Sequence, residues 1–247
     1  MKNVYLIIFF LSIQSIMSQS FKEKQMQFPR VNTAFKEKST IVDSLLLNHD
    51  IRKNEINIFL RAFKNEKRLE VWGKNKNDTK FVLITTYPFC EMSGDLGPKR
   101  KEGDKQIPEG LYTINHFNPE SSFYLSLGIS YPNKSDAILG VQGKLGGEIY
   151  IHGNCVTIGC IPITDDLIKE LYVFAVEARN NGQEEIPVHI FPTTLDDNHL
   201  NALKEYAKPD SAKIEFWKNL SVVYKQFETA KRLKPVSIDL KGRYNIR

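Results

Sequence analysis

Cysteine is scarce in this chain, three residues in 247, and no apolar run beyond the first twenty residues is long enough to cross a bilayer. The second absence makes the body of the protein a soluble chain without a membrane span. The first is informative because three is odd: in an oxidising compartment at least one of Cys90, Cys155 and Cys160 stays unpaired within a monomer. Also missing is a concentrated basic stripe with interleaved aromatics. The net charge of +5 is spread along the chain, so nucleic-acid binding has no support. Internal repeats and low-complexity segments are lacking too, which removes arrays and leaves an ordinary globular core as the expectation.

What is present begins with a leader. Lys2 is followed by an apolar run from Val4 to Leu11, broken only by Tyr5, and then by Ser15-Ile16-Met17-Ser18-Gln19-Ser20. A basic start, a short apolar stretch and a small-residue end form a secretory signal over residues 1–19, cut near residues 18 to 20. No cysteine follows the run, which argues against a lipid anchor there. About 225 residues remain, enough for one sizeable core plus an extension. Export exposes the cysteines to oxidation. Cys90 and Cys155 either pair or both stay buried and reduced while Cys160 is free, and a Cys155–Cys160 bridge is the plainer alternative.

Residues 20–55 are a polar, lysine-rich lead-in in which Ile41, Val42, Leu45, Leu46 and Leu47 suit a short helix. From Ile56 the pattern turns to strands: 56–61, 68–72 and 81–86, separated by turn-forming stretches, read as an antiparallel meander. Further strands are expected at 111–114, 123–127, 148–151 and 186–190. One helix follows Cys160, capped by Thr164, with Asp165 and Asp166 complementing its dipole, Ile168, Leu171, Ala175 and Ala178 facing inward, and Gly182 ending it. Helices near 196–207 and 211–232 form a C-terminal extension over 193–247, and Ile214, Trp217, Leu220, Val223 and Phe227 give the longer one an apolar face that packs on the chain's own core. Thirteen of the fourteen glycines lie between Gly73 and Gly182, marking that stretch as the site-building part.

Within it, Ile151-His152-Gly153-Asn154-Cys155-Val156-Thr157-Ile158-Gly159-Cys160 sets a histidine and a cysteine around a tight glycine-punctuated turn. A thiol attacks carbonyl carbon well only as thiolate, so it needs a neighbour that takes its proton, and His152 is the nearest candidate. Gly159 lets the backbone fold tightly enough to aim N–H groups at a developing oxyanion. Two plainer readings stand beside this one: His152 as a structural histidine, or His152, Cys155 and Cys160 as metal ligands, for which the spacing is wrong and no fourth ligand is in sight. His49, His116, His189 and His199 sit in ordinary strand or helix contexts.

The stretch from Ile151 to Cys160 resembles the active-site motif of the L,D-transpeptidases, the YkuD-like domains. In them a histidine-glycine pair precedes serine or threonine, any residue, glycine and cysteine. The short spacing is similar to the YafK-like branch, as are Ser93-Gly94-Asp95-Leu96-Gly97-Pro98-Lys99, the segment Glu102 to Tyr112, and Phe123-Tyr124-Leu125-Ser126. The resemblance implies a mainly β (α+β) catalytic domain over 56–192, of the β-sandwich or barrel type found in that family, with one helix after the cysteine and the helical extension behind it. It implies Cys160 as nucleophile and His152 as base, acting on the L-centre of the third residue of a peptidoglycan stem peptide. Gly159, Thr157 and Gly153 would support the oxyanion and the loop. It implies no cofactor and no metal, and a place in the periplasm or cell envelope after passage across the inner membrane.

Pro162 stands where the wider family usually has an arginine, and Ile158 where a second histidine is common. Lys99 or Arg100 would then meet a peptide carboxylate in that arginine's place, unless the run is only a turn and a solvated charge cluster, and Tyr124 would line the cleft or, on the plainer reading, be buried by an alternating strand. An amine acceptor gives transpeptidation and water gives hydrolysis. Some YafK-like enzymes release a peptidoglycan-linked lipoprotein, so such a lipoprotein is a further expected partner. A wall-binding module without catalysis is the reading from another class.

Overall fold

The computed structural model describes residues 19–247, so the expected leader lies outside the described residues except for Gln19. Helix α1 (Phe21–Met26) opens on a Ser20–Glu23 capping box, and α2 (Pro29–Leu47) starts on a proline whose missing N–H costs nothing at a first turn. The short helix expected around residues 41–47 is the last part of α2. Val31, Ala34, Phe35, Lys38, Val42 and Leu46 recur at helical spacing and give it one continuous buried stripe.

The main sheet holds β1 (Ile56–Phe63), β2 (Arg68–Asn75), β3 (Val82–Pro88), β4 (Gly110–Asn118), β5 (Ser126–Ile129), β6 (Tyr150–His152), β7 (Ile161–Pro162) and β8 (Pro187–Phe191), in the order β3-β2-β1-β8-β4-β5-β6-β7. The first three strands are the expected antiparallel meander. β1 pairs with β8 and β6 with β7 in parallel. Helix α3 (Lys134–Leu139) lies between β5 and β6, and α4 (Thr164–Asn180) makes the crossover from β7 to β8. Thr164 takes φ +72° and its hydroxyl receives a long bond from Leu167 N–H at 3.5 Å.

Two expected strands are displaced by left-handed residues. Tyr124 at φ +71° breaks extended backbone, so the strand placed at 123–127 begins at Ser126; Glu148 at φ +57° does the same, and β6 begins at Tyr150.

β1 is buried along both faces, which explains its almost unbroken apolar sequence. Ile56, Ile58, Leu60 and Ala62 enter the main core with α2 and α4; Phe59 and Phe63 point the other way. That second face is covered by α5 (Asp197–Ala207) and α6 (Ser211–Ala230), where Trp217, Leu220, Val223 and Phe227 are buried. After α6 the chain is no longer helical: β9 (Val236–Ile238) and β10 (Tyr244–Ile246) form a hairpin whose Tyr244 hydroxyl accepts from Asn133 Nδ2 at 3.0 Å.

The sheet curls until its two edge strands meet. Cys90, just past β3, donates its N–H to Pro162 O of β7 at 3.0 Å, and Cys90 and Cys155 form a disulfide. That hydrogen bond and the disulfide bring the end of β3 to β7 without a ladder between the two edge strands. Of the cysteine pairings left open by the sequence, this is the one found, and Cys160 is free.

Candidate active site

His152 ends β6 with its side chain 1 % exposed. Its Nδ1 bonds Gly153 O at 2.5 Å; a carbonyl can only accept, so Nδ1 carries the proton and Nε2 presents a lone pair. Nε2 bonds no protein group, and the Phe123 ring stacks on the imidazole at 4.6 Å. Burial holds His152 below its ordinary value of 6.5, against the opposing pull of Gly153 O, so the ring is neutral near pH 7.

The turn after His152 is held from three sides. Gly153 has no room for a side chain: a Cβ would lie 2.4 Å from Asp165 Oδ1 and 2.8 Å from Phe123 O. Asp165, at the start of α4, accepts Asn154 N–H at 2.7 Å, and Cys155 is fixed by the disulfide. Thr157 closes the far end. Its hydroxyl accepts from Gly159 N–H at 3.1 Å and Cys160 N–H at 2.9 Å and donates to Cys160 O at 2.8 Å. The two N–H groups expected to face an oxyanion are thus occupied by Thr157. Gly159, at φ +137°, passes Gln106 O so closely that a Cβ would sit 3.1 Å from it.

Cys160 leads into β7. The parallel register sets Ile161 beside Ile151 and Pro162 beside His152, which leaves Cys160 level with Tyr150, one strand over and two residues along from the histidine. Its thiol is directed at Glu148 O, 3.6 Å away, rather than at His152. Burial pushes the thiol up; the Tyr150 N–H and the Lys99 ammonium favour the anion, and the Glu148 carboxylate opposes it. A cleft of about 400 Å³ runs along Glu148, Tyr150, Tyr131, Ile129 and Asn115, and it meets the candidate pair through Glu148 and Tyr150, since neither Cys160 nor His152 lines it.

A model of the YkuD family, the L,D-transpeptidase catalytic domain, matches residues 58–190. The chain belongs to that family. It is 33 % identical over 189 residues to YafK of Escherichia coli strain K12, a protein provisionally named an L,D-transpeptidase, covering 76 % of this chain and 72 % of that protein. Among solved structures it is similar to the helical cell shape determining protein Pgp2 of Campylobacter jejuni, at 18 % identity with a TM-score of 0.44 over 75 % of this chain and 73 % of that one. It is also similar to Bd1075 of Bdellovibrio bacteriovorus, at 22 % identity with a TM-score of 0.39 over 71 % and 64 %.

The other residues that the sequence singles out lie around this candidate pair. Lys99 is buried and donates to Asp104 Oδ1 at 2.7 Å and to Lys101 O, so its charge acts through space on Cys160. Arg100 reaches Asp136 Oδ1 at 3.4 Å and stacks on Phe216, toward α6. Neither cation extends freely into the cleft, because each has an acid beside it. Tyr124 lies under the Arg30 guanidinium, which also binds Ser121 O and Tyr124 O; the neighbour Phe123 is the aromatic residue against His152. Phe123, Asp165, Glu148 and Tyr150 stand around the candidate pair, and sequence reasoning did not single them out. Glu148 and Tyr150 sit just ahead of the His152 motif, and Asp165 just behind the cysteine, where only proximity in the chain could have flagged them. Among the described residues no cluster of three or more His, Cys, Asp or Glu side chains could hold a metal, and no helix is long and apolar enough to cross a membrane.

Proposed function

We propose that the protein is a cysteine acyl-transfer enzyme of the cell envelope that acts on peptidoglycan stem peptides through Cys160 and His152. The observation that carries this reading is the pair itself: one free thiol, and one buried neutral imidazole whose Nδ1 is fixed to Gly153 O while Nε2 stays unpartnered. A base of that kind has the right tautomer and protonation state to take a thiol proton.

The transfer requires Cys160 Sγ to leave Glu148 O and turn toward His152, a contact of the kind that tightens when substrate binds. The S–H proton passes to Nε2 as sulfur attacks the carbonyl of the L-centre of the third stem residue. The C–N bond then breaks, His152 returns the proton to the departing amine, and a thioester remains. A second amine attacks the thioester, yields its proton to His152 and releases the thiolate; water in its place gives hydrolysis. Turning the Thr157 hydroxyl aside frees the Gly159 and Cys160 N–H groups for the oxyanion, a contribution of roughly 3 kcal/mol for each such donor.

Intact-mass analysis with a tetrapeptide donor tests the reading. An adduct on the wild type that is lost in Cys160→Ala and strongly slowed in His152→Gln is the expected result. A wild-type protein that binds the donor but forms neither adduct nor product is a wall-binding module instead. Product analysis with and without an acceptor amine separates transferase from hydrolase.

A further inference from the structure

Beside the nucleophile lies a carboxylate without a cation. Glu148 is exposed and sits at φ +57°, and its carbonyl faces the Cys160 thiol. Its Oε2 accepts the Tyr150 hydroxyl at 2.6 Å, a bond that pushes Tyr150 up to about 12 and keeps it a donor. Oε1 has no protein donor, and among the described residues no lysine or arginine forms an ion pair with it. Glu148 is also the one acidic residue on the wall of the adjoining cleft.

That placement works against the chemistry of an empty site. A negative charge next to sulfur disfavours the thiolate, and Glu148 has this effect on Cys160. The penalty disappears if the ligand brings a positive charge, and an ion pair formed in a cleft partly shielded from water is stronger than one on an open surface.

We propose that Glu148 selects the donor by pairing with a side-chain ammonium on its third residue, so that the cleft accepts a residue whose side chain carries a free amine, as diaminopimelate does beside its terminal carboxylate, and rejects one whose amine is blocked. The inference rests on the acyl-transfer reading above. The amine lies at the end of a four-carbon arm from the L-centre, an arm that lets the ammonium meet Oε1 on the cleft wall. Binding then cancels the repulsion on sulfur, and the thiolate forms more readily in the loaded site than in the empty one. Tyr150 orients the carboxylate and is a positioning residue.

Two donor peptides identical but for a free or acetylated side-chain amine provide the test, read as kcat/KM together with the Cys160 adduct by intact mass. The wild type is expected to favour the free amine at least tenfold. Glu148→Gln should bring that ratio near one by raising KM for the free amine alone, and Tyr150→Phe should weaken it partly. Glu148→Lys should shift preference toward a donor whose amine is succinylated, a result that a purely structural role would not give. Equal slowing of both donors by Glu148→Gln, or an unchanged ratio, overturns the assignment while leaving the acyl-enzyme intact. Absence of any wild-type adduct with either donor sinks the acyl-transfer reading and this assignment with it.

Discussion

Cys160 rests as a thiol because burial outweighs the Tyr150 N–H and the Lys99 charge, with Glu148 adding to the upward push. Alkylation by a small neutral reagent should therefore be slow at pH 7 and rise to a midpoint above the ordinary thiol value of 9.0. Lys99→Met should move that midpoint higher and Glu148→Gln lower, and a profile that ignores both substitutions refutes this account of the charges. Thr157 invites a second measurement. Thr157→Val leaves two N–H groups and one carbonyl without their hydroxyl partner, which should cost about 1–3 kcal/mol in denaturant unfolding, whereas Thr157→Ser should cost little. The candidate nucleophile and base could be named from the sequence because His152-Gly153 and Thr157 to Cys160 lie in one short stretch. Glu148 and Phe123 were not, since their roles depend on left-handed turns at residues 148 and 124 that no apolar pattern announces.

Elements show the same division. The helices read from 3.6-residue spacing are present, and so is the meander, because both follow from local periodicity. Parallel pairing of β6 with β7 cannot be read that way; it sets the level of Cys160 against His152. The basic run at Lys99 and Arg100 reads as a source of one cleft cation or as a solvated charge run, but Asp104 and Asp136 fold back onto it. Two devices tie elements to the site and can be broken separately. The disulfide links residues 65 apart and pins the turn between His152 and Cys160 to the end of β3. Replacing both Cys90 and Cys155 by Ser should lower stability by roughly 2–4 kcal/mol while leaving one alkylatable thiol in the folded protein. Helix α6 is tied in by Trp217 Nε1, which donates at 2.7 Å to Glu109, itself paired at 2.9 Å with Lys64, both fully buried. Trp217→Phe leaves Glu109 Oε2 buried without that donor and should cost about 1.5–3 kcal/mol by chemical denaturation. An unchanged midpoint would mean that water enters to replace the indole.

The whole molecule is wrapped around charges and titratable groups that its strands bury, and this sets how stability varies with pH. His189 on β8 stands opposite Arg61 of β1, edge-on to the Phe59 ring at 4.6 Å, and its Nδ1 has no partner. Burial, helped by the Arg61 charge, lowers it from 6.5 to about 3. The unfolded chain therefore takes a proton at pH 6.5 that the folded chain refuses until about pH 3, and the stability present above 6.5 drains away between those values. His152 acts in the same direction. Asp136 acts against them: burial raises it from 3.8 to about 6, so its contribution is fullest below 3.8 and is lost as pH climbs through 6. The histidine shift is the larger: between pH 6.5 and 4 His189 removes about 3 kcal/mol and Asp136 returns about 2, so unfolding free energy should fall by about 1 kcal/mol, with His152 adding to the fall. His189→Leu removes the largest contribution to that fall, and denaturant melts of wild type and variant at pH 7 and pH 4 should show a clearly shallower loss in the variant. Equal losses would place the acid sensitivity elsewhere in the molecule.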